Sequence, residues 1–260
     1  MRTARLVAGI IGRLKDDLEE HKYKKLASAY NISGYKRIYL IHIKKTGGTS
    51  LDNMFFSLGH KDSQWLRRDV LTPGRRVARD GKVFVRSNVR LINKGNYYYA
   101  SSHAPFHELR LPENTFTVTC FRDPVNRLVS NYNMFMDHFV NGIPHPGMAG
   151  KDKWLSGSFD DYIDRIPPEF LLNQLHMFSK NFDVAEAVVH AKTVSHYFFT
   201  EDFSKGIDEL NRKTGLNLRA MHVRKAAYRA EIPESSIARQ REKLTKEYLF
   251  LETLKSMQYA

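Results

Sequence analysis

Residues 37–58 read RIYLIHIKKTGGTSLDNMFFSL, and the architecture of the whole chain can be inferred outward from this stretch. Its first part, residues 37–43, is rich in β-branched and aromatic side chains, which predicts a strand. Residues 51–58 have a helix-like pattern, and Gly47 and Gly48 lie between the two segments. A strand, a glycine loop and a helix start in this order predict an anion-binding site, because unpaired N–H groups at a helix N-terminus point at the ligand.

The polar residues of this loop suit a phosphate group. Lys45 adds a positive charge, and the two glycines let the backbone approach a ligand closely. The loop also contains Lys44 and the hydroxyl donors Thr46, Thr49 and Ser50. The alternative interpretation is a glycine-rich turn with an incidental lysine. The loop of ATPases and kinases has its lysine after the glycines and a further glycine upstream, so a nucleotide-dependent kinase is disfavoured.

A second cluster of polar residues follows the apolar and β-branched run at residues 115–121, which predicts a buried parallel strand. Arg122 leaves the carboxyl end of this strand, where ligands bind in open α/β sheets. Asp123 and Pro124 suit the start of a helix, and Ser130 lies just over two helical turns further on. Arginine offers a rigid fork to phosphate oxygens and serine a short donor, which predicts a second phosphate site. The alternative is a local helix cap with a packed serine.

Both segments resemble motifs of the sulfotransferases that use 3′-phosphoadenosine 5′-phosphosulfate (PAPS). Residues 42–50, HIKKTGGTS, closely resemble the 5′-phosphosulfate loop of the carbohydrate branch (heparan and chondroitin sulfotransferase-like), which typically reads HIPKTGGTS. Residues 121–132, FRDPVNRLVSNY, resemble the 3′-phosphate motif R-D-P-x-x-R-x-x-S-x-Y at every fixed position. The resemblance extends more loosely from about residue 37 to the C-terminus.

The resemblance implies roles for individual residues, with PAPS as the co-substrate. Lys45 would be the catalytic lysine. The residues implied in binding PAPS are Lys44, Thr46, Gly47, Gly48, Thr49 and Ser50 at its 5′ end and Arg122 and Ser130 at its 3′-phosphate. Lys44 departs from the family pattern, which usually has proline at that position, so the loop is expected to be less rigid.

Sulfuryl transfer also needs a base that removes the proton of the acceptor hydroxyl, and histidine suits this role at neutral pH. Residues 102–106, SHAPF, resemble the G-H-x-P-[FY] segment of carbohydrate sulfotransferases, with serine in place of glycine. That resemblance implies His103 as the base, with His107 next in line. The alternative is a hydrogen-bonded histidine at a strand end. Pro105 lies between the two histidines and no cysteine cluster accompanies them, so no metal is predicted.

Strands that alternate with helices predict an α/β fold, a single domain with a central parallel sheet flanked by helices. The resemblance implies the P-loop-kinase-like sulfotransferase fold. Residues 1–33 are predicted as an N-terminal helical lead-in and residues 34–260 as the sulfotransferase domain. Further strands are predicted at residues 96–102 and 194–200. Helices are predicted at residues 124–140, 159–165, 168–179, 203–214 and 233–257, and a mobile loop at residues 141–158.

The charge of the chain indicates the kind of partner. Its 260 residues carry a formal net charge of +13, which favours anionic partners. Residues 61–96 hold ten Lys or Arg against three Asp, which predicts a cationic wall beside a carbohydrate or glycolipid acceptor that is itself anionic. A solvated basic surface is the alternative. A basic nucleic-acid-binding protein is the alternative function, but the sequence has no zinc-finger, helix-turn-helix or aromatic-basic RNA signature, so no nucleic-acid partner is predicted.

A cytoplasmic location is predicted. Cys120 is the one cysteine in the sequence, which fits a reducing compartment. The sequence has no run of about 20 apolar residues that could span a bilayer. Residues 1–15 suit a basic amphipathic helix that either docks on the domain or touches a membrane surface, and the oligomeric state is left open.

Overall fold

The computed structural model describes residues 18–70, 76–143, 152–155, 157–221 and 228–258. The strands in these residues are β1 (Arg37–Ile41), β2 (Arg76–Arg79), β3 (Lys82–Arg86), β4 (Tyr99–Ser102), β5 (Thr115–Phe121) and β6 (His196–Phe199). They form one sheet in the order β2-β3-β4-β1-β5-β6. Neighbouring strands are parallel except β2 and β3, which are antiparallel.

Helices cover both faces of this sheet. Those in the described residues are α1 (residues 18–29), α2 (Gly48–Phe56), α3 (Ser63–Val70), α4 (Val89–Lys94), α5 (Pro124–Val140), α6 (Asp152–Leu155), α7 (Phe159–Arg165), α8 (Pro168–Leu171), α9 (Asn173–His176), α10 (Val184–Lys192), α11 (Phe203–Thr214), α12 (Glu234–Lys243) and α13 (Thr245–Gln258). Along β1, Ile38 and Leu40 pack with α2 and α11, whereas Tyr39 and Ile41 pack with α10 and α13. Because strand side chains alternate, each face of the sheet has its own hydrophobic layer.

The parallel strands end at one edge of the sheet, which we call the carboxyl edge. Ile41 in β1 is in register with Ser102 in β4 and with Thr119 in β5. Phe121, at the end of β5, is in register with Phe199 at the end of β6. The segments that follow these strands therefore start close together, as expected for the ligand-binding edge of an α/β sheet.

The predicted α/β class with a helix-flanked sheet is confirmed, but the sheet is not wholly parallel. Strands β2 and β3 form a hairpin whose turn contains Asp80 and Gly81, both with positive φ, at 46° and 68°. Asp-Gly is a common hairpin turn because both residues tolerate this conformation. No strand was predicted at this place, because the two strands are short and many of their residues are charged.

The helix predicted at residues 168–179 is two short helices, α8 and α9. They are separated at Leu172, whose φ of −102° and ψ of 45° are not helical. The carbonyl groups of Phe170 and Leu171 accept hydrogen bonds from Arg127 Nη2 at 3.1 and 2.5 Å. An external donor therefore replaces the bonds that these carbonyls would accept within a continuous helix.

Other predicted boundaries also change. The helix predicted at residues 233–257 is α12 followed by α13, with Leu244 between them. The strand predicted at residues 96–102 begins only at Tyr99, and α10 had no counterpart in the prediction. Some predictions fall partly or wholly outside the described residues. They include the helix at residues 1–15 in the lead-in, the basic segment at residues 61–96, which contains Arg75, and the loop at residues 141–158.

Helix α1 belongs to the predicted lead-in and lies against the sheet. Glu20 Oε2 accepts hydrogen bonds from Arg76 at 2.9 Å and Lys94 at 3.1 Å, and Oε1 accepts one from Asn96 at 2.6 Å. The bond from Arg76, joined by those from Lys94 and Asn96, lowers the pKa of Glu20 to about 2 despite partial burial. The domain boundary after residue 33 stays a prediction. None of the helices in the described part of the chain combines the length and apolar character needed to cross a membrane.

Candidate active site

The loop at residues 42–47 joins β1 to α2 at the carboxyl edge. Lys45 and Gly47 both have positive φ, at 68° and 84°, so the chain makes a sharp turn before the helix begins. The turn is closed by the Thr46 hydroxyl, which donates to the Ile43 carbonyl oxygen at 3.1 Å. The N–H groups of Ser50 and Leu51 donate to the Gly47 carbonyl oxygen at 2.9 and 3.1 Å. A helix offers no partners of its own to the N–H groups that precede them, and its dipole adds partial positive charge there. The predicted order of strand, glycine turn and helix start is therefore present.

Gly48 is needed because the His42 side chain lies against its backbone. A Cβ atom at Gly48 would be 2.1 Å from Cδ2 of His42, well inside van der Waals contact. His42 itself is buried. The second glycine of the loop thus serves a close packing contact, and the first, Gly47, serves the left-handed turn.

Arg122 brings the second predicted motif to the same place. It follows β5, and its Nη1 donates to the Lys45 carbonyl oxygen at 3.3 Å, across 77 residues of sequence. Asp123 Oδ1 accepts from the Asn126 N–H at 2.8 Å and so caps α5, as predicted. Ser130 lies partly buried on α5. The two segments singled out in the sequence are therefore in direct contact in the fold.

His103 follows β4 at the carboxyl edge, beside the loop. Its Nδ1 is 2.6 Å from the carbonyl oxygen of His42, and the two imidazole rings are 4.3 Å apart. A carbonyl oxygen can only accept, so Nδ1 carries the proton and Nε2 keeps its lone pair. The side chain is accessible to solvent. Surrounding protein atoms and the neighbouring His42 place the pKa of His103 well below its ordinary value of 6.5, so the ring is neutral at pH 7.

Asp52 is a buried carboxylate that the sequence reasoning missed. It accepts hydrogen bonds from Arg86 Nε at 3.0 Å and from the Tyr99 hydroxyl at 2.8 Å. His42 Nδ1 lies 3.4 Å away and Arg67 Nε 3.7 Å away. Burial raises the pKa of Asp52, but His42 and Arg86 lower it by more than this. The pKa of Asp52 therefore lies below its ordinary value, and the carboxyl group is ionised. Asp52 thus lies next to His42, whose carbonyl oxygen accepts the hydrogen bond from His103.

Two other residues predicted to bind PAPS have contacts inside the protein. The Thr46 hydroxyl is buried and its donor is used in closing the loop. Lys44 Nζ lies 4.4 Å from the centre of the Phe170 ring, and its backbone N–H donates to Asn173 Oδ1 at 3.3 Å. Thr49 and Ser50 lie partly exposed in the first turn of α2.

The motif at residues 121–132 combines site residues with packing residues. Arg127 is almost fully buried and forms an ion pair with Glu247 at 3.4 Å. Tyr132 packs in a cluster with Phe159 and Tyr162. These fixed positions of the motif therefore hold the fold behind Arg122.

His107, the other histidine of the segment, makes a different contact. Its Nε2 is 3.2 Å from the His176 carbonyl oxygen, and the two rings meet at 5.8 Å. Within the described residues no three His, Cys, Asp or Glu side chains come together as a set of metal ligands. Arg224 and Lys225, in a basic segment of the sequence, lie outside the described residues.

The carboxyl edge of the sheet thus brings together a glycine loop, a lysine, an arginine and a neutral histidine. A family model described as the sulfotransferase family matches residues 28–253. The chain therefore belongs to the sulfotransferase family and is an enzyme that transfers a sulfuryl group, as the resemblance to PAPS-dependent enzymes predicted.

One solved structure similar to this chain is the crystal structure of mouse sulfotransferase SULT7A1 complexed with PAP. It is 13% identical, the match covers 89% of this chain and 70% of that one, and the TM-score is 0.29. At that score the similarity carries no argument about this protein. A comparison with curated proteins found no match.

Proposed function

We propose that the protein transfers the sulfuryl group of PAPS to a hydroxyl of a carbohydrate or glycolipid acceptor. The observation that carries this proposal is the contact of Arg122 with the Lys45 carbonyl, beside His103. It brings together the two segments that resemble the PAPS motifs, next to a histidine suited to the acceptor.

The residues at the carboxyl edge fit PAPS. The start of α2, with Gly47 and Gly48, offers N–H groups and close approach to a 5′-phosphate. Arg122 and Ser130 offer a fork and a short donor to a 3′-phosphate. When bound, PAPS supplies a sulfuryl group attached to a phosphate leaving group.

The protein contributes charge and a proton acceptor to the reaction. We assign Lys45 to the stabilisation of negative charge that grows beside the loop, because a preorganised cation acts on the transition state without reorganising. His103 accepts the hydroxyl proton of the acceptor at Nε2, while Nδ1 stays bonded to the His42 carbonyl. This bond fixes the tautomer and the direction of the ring.

We expect Arg122→Ala and Ser130→Ala to weaken the binding of adenosine 3′,5′-bisphosphate much more than that of AMP. The two ligands share a 5′-phosphate, and only the bisphosphate carries the group that these residues are proposed to hold. A lost charge-assisted hydrogen bond costs about 1.5–3 kcal/mol, which corresponds to a loss of roughly 10- to 150-fold for the arginine variant. Calorimetry with both ligands measures this, and equal losses for the two would contradict the assignment.

The proposed acceptor is anionic because positive charge surrounds the base. Lys44 and Arg86 lie close enough to His103 to contribute to lowering its pKa, after the surrounding protein atoms and the neighbouring His42. Arg90 is exposed in the first turn of α4, which begins just after β3 at the carboxyl edge. The cationic wall predicted at residues 61–96 offers less free positive charge than its composition suggests, because Arg67 and Arg86 contact Asp52.

We expect Arg90→Glu to raise the KM of an anionic acceptor severalfold and to reduce its salt dependence, with the KM of PAPS unchanged. The matched control is Arg79→Glu, which makes an equal charge change at an exposed residue. Arg79 is the last residue of β2 and pairs with Lys82 at the start of β3, away from the carboxyl edge. The acceptor is found first by screening desulfated glycans, glycolipids and phenols with labelled PAPS. A best acceptor without charge, or equal effects of the two variants, would contradict the anionic assignment.

The location that we propose is cytoplasmic, and it is supported by Cys120, a buried free thiol of the kind retained in reducing compartments.

A further inference from the structure

Two adjacent residues at the break between α8 and α9 contact both phosphate motifs. Asn173 Oδ1 accepts a hydrogen bond from the backbone N–H of Lys44 at 3.3 Å. Gln174 Oε1 accepts from the backbone N–H of Arg122, and its Nε2 donates to the Arg122 carbonyl, both at 2.9 Å. Asn173 is 7% exposed and Gln174 is fully buried. The pair therefore joins the segment after β1 to the segment after β5.

Gln174 replaces a missing strand neighbour for Arg122. Strand β5 ends at Phe121, so the backbone groups of the next residue are no longer part of the sheet. A buried N–H or C=O group without a partner is costly, and the amide of Gln174 satisfies both at once. The backbone from which the Arg122 side chain extends is thereby held in one orientation, with its guanidinium against the Lys45 carbonyl.

Glu247, on α13, holds Gln174 in turn. Its Oε2 accepts from the Gln174 N–H at 3.0 Å, and its Oε1 accepts from Gln174 Nε2 at 2.9 Å. The carboxylate is fully buried, and Arg127 balances its charge at 3.4 Å. A buried ion pair of this kind adds little net stability compared with apolar packing, so its presence favours a role in fixing geometry.

Arg127 links this arrangement to the break in the chain. The Arg127 guanidinium pairs with Glu247 and also donates hydrogen bonds to the carbonyl oxygens of Phe170 and Leu171. The interruption of the helix there is what presents Asn173 and Gln174 to the two motifs.

We propose that Asn173, Gln174 and Glu247 are positioning residues for the phosphate groups of PAPS, an inference that rests on the proposed function. Gln174 and Glu247 set the affinity for the 3′-phosphate by holding Arg122. Asn173 sets the affinity for the 5′ end by holding the backbone of the loop at Lys44. The C-terminal helix α13 is thus coupled to nucleotide binding without touching the nucleotide.

Gln174 and Glu247 are expected to act on the 3′-phosphate, and Asn173 on the 5′-phosphate. The selectivity ratio is defined as the dissociation constant of AMP divided by that of adenosine 3′,5′-bisphosphate. Gln174→Met keeps the size of the side chain but removes its polar contacts, and it should lower the ratio by about tenfold, the size of one net hydrogen bond. Glu247→Gln should lower the ratio in the same direction and by less, because it keeps the shape of the side chain. Asn173→Ala should weaken both ligands by similar factors and leave the ratio unchanged, because both carry a 5′-phosphate.

A matched control separates positioning from general destabilisation. Gln240 is also a fully buried glutamine, and it bonds Asp160 at 2.7 Å, on α7. Gln240→Met should lower the thermal midpoint as Gln174→Met does, but it should leave the selectivity ratio at the wild-type value. A wild-type ratio in Gln174→Met, or an equal fall in Gln240→Met, would overturn the proposal.

Amide hydrogen exchange of the wild-type protein without nucleotide gives a second measurement that needs no variant. The Arg122 amide should exchange as slowly as that of Phe121, although it lies beyond the strand, because Gln174 protects it. Exchange at the rate of an exposed amide would overturn the proposal. Failure of the proposed function looks different: the wild-type protein itself would then show no preference for the bisphosphate over AMP.

Discussion

The Lys45→Ala variant should lose on the order of 100- to 1,000-fold in kcat, the loss typical for removing one preorganised donor from a transition state. Lys45 is part of the loop that joins β1 to α2, has positive φ, and lies two residues before Gly47, the N-cap residue of α2. Its proposed role is to stabilise charge that develops only during transfer. The change should therefore appear in kcat and not in binding.

Binding of adenosine 3′,5′-bisphosphate should be largely intact in this variant for a structural reason. Arg122 contacts the backbone carbonyl of Lys45, and an alanine keeps that carbonyl. Calorimetry should therefore give a dissociation constant close to that of the wild-type protein, while labelled sulfate transfer is almost abolished.

Lys44→Ala is the matched control for this prediction. The two lysines are neighbours of equal charge, but Lys44 Nζ lies over the Phe170 ring. Its loss should reduce kcat by much less than the loss of Lys45. Near wild-type turnover in Lys45→Ala, or an equal effect in both variants, would remove Lys45 from the catalytic role.

The His103→Ala variant should lose about 100- to 10,000-fold in kcat, the contribution of a general base. The KM of PAPS should stay unchanged, because the base acts on the acceptor and not on the donor. His107→Ala is the control, since its ring lies against His176 and not against the loop. A larger loss in His107→Ala than in His103→Ala would transfer the role of base to His107.

The pH profile of the wild-type enzyme gives a further check on His103. A base works only in its neutral form, and the surrounding protein atoms together with His42 hold the pKa of His103 well below 6.5. The rate should therefore be constant above pH 6.5 and should fall only as the pH drops through the lower pKa of the folded protein. The residual activity of His103→Ala should lack this acid limb. A wild-type rate that falls already between pH 8 and pH 7 would contradict the assignment of the base.

The sequence alone was informative wherever the signal lies in adjacent residues. The loop with Gly47 and Gly48, the run at residues 115–121 and the helix that opens at Pro124 all lie where they were predicted. These elements are specified by local physics: positive φ at glycine, β-branched residues in a buried strand, and a capping aspartate before a proline. The assignments of individual residues to PAPS stay predictions.

Local signals were weaker for elements that depend on distant contacts. The hairpin of β2 and β3 joins the sheet through the pairing of β3 with β4. Its strands are short and charged, so they carry no clear local signal for a strand. The break at Leu172 depends on Arg127, more than forty residues away in the chain. The local pattern of residues 168–179 predicts one helix, because it contains no information on the distant guanidinium that donates to two of its carbonyl oxygens.

In the sequence, two motifs indicated the family by their resemblance, and the alternation of strands and helices indicated the α/β class. Only the tertiary structure decided which charges are buried inside the protein and which stay exposed. Asp52 and Glu247 are ordinary acids in the sequence, yet each is fully buried and paired with an arginine, Arg86 for Asp52 and Arg127 for Glu247. The physical reason is that the cost of burying a charge depends on the partners that surround it, and those partners come from other strands and helices.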